Sequence, residues 1–510
     1  MRGTSLCKWH RRSGSLLFTK RRRLGSGGRV HRGVEETRLG AADANPQDPT
    51  FSRDGRHFAC VAPRGDKRVV VVDGVAGRKY DAVGGLVLSA DGQRVAYVAQ
   101  KGHKHVVVVD GVDGPALDGI GGLVLSADGR RMAYVAQGWF GWTHGLAGPS
   151  VVMVDGVAGP AYGWARTPVF SANGRRVAYV GQRWSGWFRE AEGPTVVVVD
   201  GVPGPAYDGI GDSSPVFGAD GQRVAYAARK GNKWLVVVDG APGPEYDGVG
   251  GGDPVFSPDG RRVAYAAKSG DKWLVVVDGV AGPEYDGVGG PTFSADGQRI
   301  AHAAKNGDRR LVVVDGVAGP EYDHAGEVVF SADGRRVAYV AKEDDECVVV
   351  VDGVPGPGYD AIGDSIPIFS EDGRRVTYSA QRGEKWMVVV DGVARAEYDA
   401  IGHTCPVFSP DGERVAYAAQ EGDKWVVVVD GAEGPGYDGI GASTPIFSAD
   451  GRRIAYTAGL GGKMFVVVDG LPGPEYDGIM GNGPNFAPDG TVEYLAIKRG
   501  SLYRVKQIPQ

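Results

Sequence analysis

The chain repeats itself from end to end. A phrase of the form Val-Phe-Ser-Pro-Asp-Gly recurs along its whole length. Its aspartate (once an asparagine) falls at Asp54, Asp91, Asp128, Asn173, Asp220, Asp259, Asp296, Asp333, Asp372, Asp411, Asp450 and Asp489. The twelve copies are spaced 37 to 47 residues apart, a period that belongs to arrays of one small supersecondary unit. A second phrase, Val-Val-Val-Asp-Gly, follows each copy but the last, from Asp73-Gly74 to Asp469-Gly470. A third, of the type Glu245-Tyr246-Asp247-Gly248-Val249-Gly250, follows that.

One unit can be read strand by strand over residues 254–289. Pro254 to Ser257 is a short apolar strand, and Pro258-Asp259-Gly260 is a turn, because Asp-Gly tolerates the positive φ of tight hairpins. Arg262 to Ala267 is a second strand, Lys268 to Asp271 a polar loop, and Trp273 to Val277 a third, almost wholly apolar strand. Asp278-Gly279 with Gly282-Pro283 turns the chain, and Glu284 to Val288 reads as a short, more polar fourth strand. The central strands lack a clean alternation of apolar and polar residues, so both of their faces are buried. Runs of four to seven β-branched residues bounded by Gly and Pro do not suit helices.

Composition agrees. Glycine is 84 of 510 residues and proline 30, which alone would suggest disorder. Yet 42% of the chain is hydrophobic, and 57 basic residues balance 62 acidic ones, unlike a disordered chain. The glycines do not fall every third residue, which excludes collagen. No apolar run approaches the ~18 residues needed to cross a bilayer. Cys7, Cys60, Cys347 and Cys405 are too scattered for a disulfide framework.

Four antiparallel strands every ~39 residues, covered on both faces, describe a blade of a β-propeller. The predicted class is therefore all-β, with twelve four-stranded blades. The twelfth copy holds Asn485-Phe486, Val492 to Ile497 and Leu502 to Ile508, and lacks a fourth strand. Glu36 to Gly40 resembles the missing strand, so the N-terminal segment is expected to complete the last blade and remove its free edge.

The phrase Phe256-Ser-Pro-Asp-Gly-Arg-Arg-Val-Ala-Tyr265 resembles the WD40-like repeat of the TolB propeller family, also seen in the propellers of prolyl-oligopeptidase-type peptidases. The resemblance covers about residues 49–508. The chain departs from it in having twelve copies, no separate N-terminal α/β domain, no export signal, no hydrolase domain and no Trp-Asp dipeptide. It implies a fold and a binding role and transfers no catalytic residue. Ordinary propellers have about 4–8 blades. That favours two six-bladed rings, one formed by residues 35–290 with the closing strand and one by residues 291–510. A single twelve-bladed ring is the alternative, since Tyr285 to Phe293 is as short as any other crossing.

Residues 1–34 read as a basic disordered tail: residues 1–38 carry +9 in a chain of −5, which leaves −14 for the rest. A basic arm for nucleic acid or a membrane surface is the functional reading of that tail. Leu16-Leu17-Phe18 is too short for a signal core, so the cytoplasm is the expected location, with the envelope or periplasm open if translation starts elsewhere. Two repeats carry insertions between their second and third strands, Gln137 to Pro149 and Gln182 to Pro194. They hold Trp139, Phe140, Trp142, His144, Trp184, Trp187 and Phe188, and Trp164 lies in the connection between the two units. Second-to-third loops and crossings emerge on one face, so the insertions should meet there. Exposed aromatics in a cluster usually mark a contact surface; the plainer reading is that they pack on each other. The recurring Trp234, Trp273, Trp386 and Trp425 and the Tyr-Asp pairs such as Tyr285-Asp286 are read as structural, the Trp filling the gap between blades and the Asp accepting hydrogen bonds from a turn.

No nucleophile elbow, zincin helix, Walker loop or dinucleotide fingerprint is present. His103 and His105, two apart on a strand, share a face that permits a metal pair, though a solvated loop is the simpler reading. The expected protein is not an enzyme and uses no cofactor or metal. It is a propeller binding or scaffold module for a protein partner. The alternative is a small-ligand-binding or enzymatic propeller, of lyase or glycosidase type, with its site at a ring mouth. Nucleic acid is not expected to bind the folded part, which is net acidic.

Overall fold

The computed structural model describes residues 33–41, 47–52, 57–137, 149–184, 192–363, 366–402, 406–442 and 444–508. It contains strands and no helix among the described residues. Twelve small antiparallel sheets succeed one another in chain order, beginning at residues 47, 82, 119, 164, 209, 248, 287, 324, 361, 400, 439 and 478. We number them blades 1 to 12. First strands of neighbouring blades approach one another, which places the first strand innermost. In six blades it is split into two short pieces by an irregular stretch, as in Gly287–Val288 and Thr292–Phe293.

Blade 6 shows how the sequence makes the sheet. Its strands are Gly248–Phe256, Val263–Ser269, Lys272–Val277 and Val280–Tyr285. The fourth strand therefore begins earlier than Glu284, and Gly287–Val288 belongs to the first strand of blade 7. The reason is the turn. Asp278 (φ 52°) and Gly279 (φ 80°) are both left-handed, a two-residue hairpin connection that pairs Val277 with Val280 at once. Gly282-Pro283 does not break the strand, because an outermost strand tolerates proline. Asp278 also binds what it turns: its Oδ1 accepts from the Val263 amide at 2.9 Å and its Oδ2 from Arg262 Nε at 3.1 Å.

Most blades join through the same stations. The Tyr on the second strand meets the outer Tyr of the preceding blade edge to face, as in Tyr246–Tyr265 at 6.4 Å. Arg262 reaches the next blade, lying 5.3 Å over Phe293 and donating to the Gln298 carbonyl at 2.8 Å. Ala264 and Val275 of blade 6 pack on Phe293 and Ile300 of blade 7, so the chain runs on without a ring boundary there.

Blade 12 is completed from the other end of the chain, as its missing strand requires. Val34–Ala41 pairs antiparallel with Ser501–Gln507, from Val34↔Gln507 to Ala41↔Ser501. Glu36 accepts from the Tyr476 hydroxyl at 2.8 Å and from Lys498 at 2.8 Å. Leu495 and Leu502 of blade 12 then pack on Phe58 and Cys60 of blade 1, and Arg504 stands 3.8 Å from Asp73. The twelve sheets thus form one ring, and the division into two six-bladed rings is not the one adopted. Small residues explain this: fully buried alanines such as Ala264 and Ala301 on second strands let neighbouring sheets lie close across their width. One full turn shared among twelve blades makes each wedge shallow, roughly 30° per blade.

In blade 7 a histidine replaces the second-strand tyrosine. His302 is buried and meets Tyr285 edge to face at 6.2 Å. Burial pushes its pKa down to about 4, so the unfolded chain binds the proton more readily. The stability it contributes is complete above about pH 6.5 and is lost as pH falls toward 4. His302→Tyr should remove this dependence. Urea unfolding at pH 7 and pH 4.5 should show the variant gaining about 2–3 kcal/mol relative to wild type at the lower pH, and equal pH slopes would disprove it.

Candidate functional site

Because strands alternate in direction, second-to-third turns and blade crossings share one face of the ring. On most of that face each crossing is clasped in the same way. Asp286 ends blade 6; it accepts from Lys272 of its own blade at 2.7 Å and from the Gly307 amide of the next blade's turn at 2.6 Å. The Lys272 hydrogen bond, then the Gly307 amide, hold its carboxyl below the usual carboxylate range. Asp208, Asp247, Asp360, Asp399 and Asp438 take the same amide contact with the following blade. The Tyr-Asp pairs are therefore interblade structure, as the sequence suggests. The repeated tryptophans are half-buried, but Trp273 runs along its own blade, its ring 3.1 Å from where a side chain on Gly250 would begin.

Blades 3 and 4 interrupt this regularity. Between them the aspartate station is Gly163, followed by Trp164. In blade 3 the second strand ends at Gln137 and the third resumes at Ser150. In blade 4 both strands are lengthened, to Val177–Trp184 and Glu192–Val199, with Trp184 backbone-paired to Glu192. The two insertions thus leave neighbouring blades on one face, and the crossing that carries Trp164 runs between them. Trp164 is exposed. The Arg166 guanidinium lies 5.5 Å over its ring and donates to the Ser213 carbonyl at 3.1 Å and to the Gly211 carbonyl in the next crossing. A cation held at both ends fixes the tryptophan's plane toward solvent. Of the seven aromatics singled out by sequence, Trp139, Phe140, Trp142, Trp187 and Phe188 lie outside the described residues, as does the side chain of Trp184.

The histidine pair does not form a face. His103 sits in the turn after Lys101, and His105 lies on the third strand with Nδ1 3.1 Å from the Asp118 carbonyl. Among the described residues no three His, Cys, Asp or Glu side chains are grouped to hold a metal. No helix of the described residues is long and apolar enough to cross a membrane. Arg166, which sequence reasoning missed, is signalled only by its place two residues after an exposed Trp.

No family model and no curated protein matches this chain. Among solved structures it is similar to the crystal structure of the eukaryotic initiation factor, at 13% identity and TM-score 0.32, over 68% of this chain and 96% of that one. It is similar to the β-propeller domain of the Trilobed protease from Pyrococcus furiosus, at 18% identity and TM-score 0.25, over 51% and 95%. TolB from Acinetobacter baumannii follows at 15% identity and TM-score 0.22, over 55% and 60%. Such likeness concerns fold alone; by its own strand pairing the chain is a twelve-bladed β-propeller.

Proposed function

We propose that the protein is a non-catalytic scaffold whose second-to-third-loop face, at blades 3 and 4, docks a protein partner. The observation that carries this reading is an exposed, cation-braced Trp164 at the crossing where Gly163 replaces the clasping aspartate, between the strand ends from which two aromatic-rich segments of the sequence leave. Aromatic anchors on a rigid base lose little conformational entropy on binding and supply large contact area. A ring closed on itself by twelve interblade joints is such a base.

Affinity capture with quantitative mass spectrometry tests the proposal. Wild type and a variant carrying W139A, W142A, W164A, W184A and W187A are compared, with Glu397→Gln on the outermost strand of blade 9 as control. Any specific partner retained by wild type and the control should fall at least tenfold with the aromatic variant. Equal retention by all three proteins would sink the reading.

A further inference from the structure

The face opposite the insertions carries the first-to-second and third-to-fourth turns. At each third-to-fourth turn the residue after Asp-Gly opens the outermost strand. In nine blades it is a large apolar side chain between 60 and 73% exposed, from Val75 in blade 1 through Val202 and Val317 to Leu471 in blade 11. Single exposed valines are ordinary. Nine at one station of a closed ring form a belt, interrupted by Ala241 and Ala432 in blades 5 and 10 and by the seam at blade 12. Their pairing partners across the turn, such as Val277 opposite Val280, satisfy the backbone and leave the side chain uncovered.

Inside this belt lies a second, polar one. Arg130, Arg261, Arg335 and Arg374 are each about 85% exposed at the first-to-second turns, 3.7 to 3.9 Å from an aspartate of the same turn. The turn aspartates are held by a serine and a backbone amide, as Asp259 is by Ser257 at 2.5 Å and Arg261 N at 3.0 Å. Their arginines are thus free to swing to a second acceptor. The face therefore presents Arg–Asp doublets within, in blades 3, 6, 8 and 9, and apolar points without, at the blade interval in nine blades.

We propose that this face is the interface of a homodimer in which two rings stack face to face. Only a partner of the same period can meet every station, and a second copy has it. A two-fold axis in the plane of the rings lays the valine belts on each other. A half-blade rotation then sets the arginines of one ring over the aspartates of the other. Nine such side chains, set one blade apart, together offer on the order of 600 Å² of apolar surface, as much as the largest single patch of a typical monomer but distributed around the ring. With the doublets, each ring approaches the about 800 Å² that a partner contributes to a standard interface.

Light scattering on the full chain at micromolar concentration tests this. Wild type should have twice the monomer mass of 53.5 kDa, and V112K, V202K, V317K and V393K combined should have that mass alone. The milder V112T, V202T, V317T and V393T set, which keeps shape and removes only apolarity, should weaken dimerisation at least tenfold. Trp164→Ala, on the other face, should remain a dimer. A monomeric wild type, a dimeric lysine variant, an undiminished threonine variant or a monomeric Trp164→Ala would each overturn the proposal.

Discussion

Deleting residues 1–41 will strip the ring of its closure, whereas deleting residues 1–32 keeps the closing strand in place. The longer deletion removes the whole strand Val34–Ala41 and its register with Ser501–Gln507. It also strands the Tyr476 hydroxyl and Lys498, which converge on Glu36, and uncovers the apolar cluster to which Val34 adds. Seven paired residues with net hydrogen-bond contributions of about 0.5–1.5 kcal/mol each, plus the lost cover, amount to a loss on the order of 5 kcal/mol. The bared third strand becomes an edge open to pairing with other chains. Urea unfolding and light scattering read both consequences. If the 1–41 deletion unfolds at the wild-type midpoint and stays monodisperse, the closing strand is not what seals the ring. Glu36→Gln tests the clasp alone. Burial opposes ionisation of Glu36, but the hydrogen bonds from Lys498 and Tyr476 together outweigh it and hold the carboxyl below its ordinary range. Its contribution is therefore present at neutral pH and lost as pH falls through the carboxylate range.

Tyr179→Ala will cost about 3–5 kcal/mol, while Tyr179→Phe will cost nothing or add stability. The ring of Tyr179 is 1% exposed, stands edge to face with Tyr162 at 6.2 Å, and fills the joint between blades 3 and 4 with Val135, Val152 and Val196. Truncation leaves a cavity between two rigid sheets that cannot collapse without opening the ring. The hydroxyl has no hydrogen-bond partner among the described residues, and burial drives its pKa up. Removing it relieves an unsatisfied polar group. Tyr476→Phe is the contrast, since that hydroxyl donates to Glu36 and its loss should cost about 1 kcal/mol. A destabilised Tyr179→Phe would mean that the hydroxyl has an acceptor after all.

Much of this architecture was legible beforehand because it is local. Asp-Gly at Asp278-Gly279 has few conformations open to it, and repeated apolar runs with both faces covered have few folds open to them. The seam was legible for a different reason: a blade short of one strand at residue 508 and a spare strand at residue 36 leave one bookkeeping solution. Two readings failed where local rules were overridden. Gly282-Pro283 looks like a breaker, yet an outermost strand has no outer partner to lose. The number of blades per ring depends on a wedge angle summed over many small side chains such as Ala264 and Ala301, and no single residue announces it. The insertions are legible as aromatic composition only; most of their residues lie outside those described, and Trp164 with Arg166 is the part that geometry adds.

The seam also sets an order of events on the ribosome. The segment that finishes the molecule is synthesised among the first and used last, since Val34 must wait for Gln507 to emerge. At about 5–20 residues per second that delay is on the order of a minute. Throughout it the nascent chain is an unfinished arc whose leading blade has one bare flank, so the interval before closure is the one in which that edge lies open to pairing with other chains.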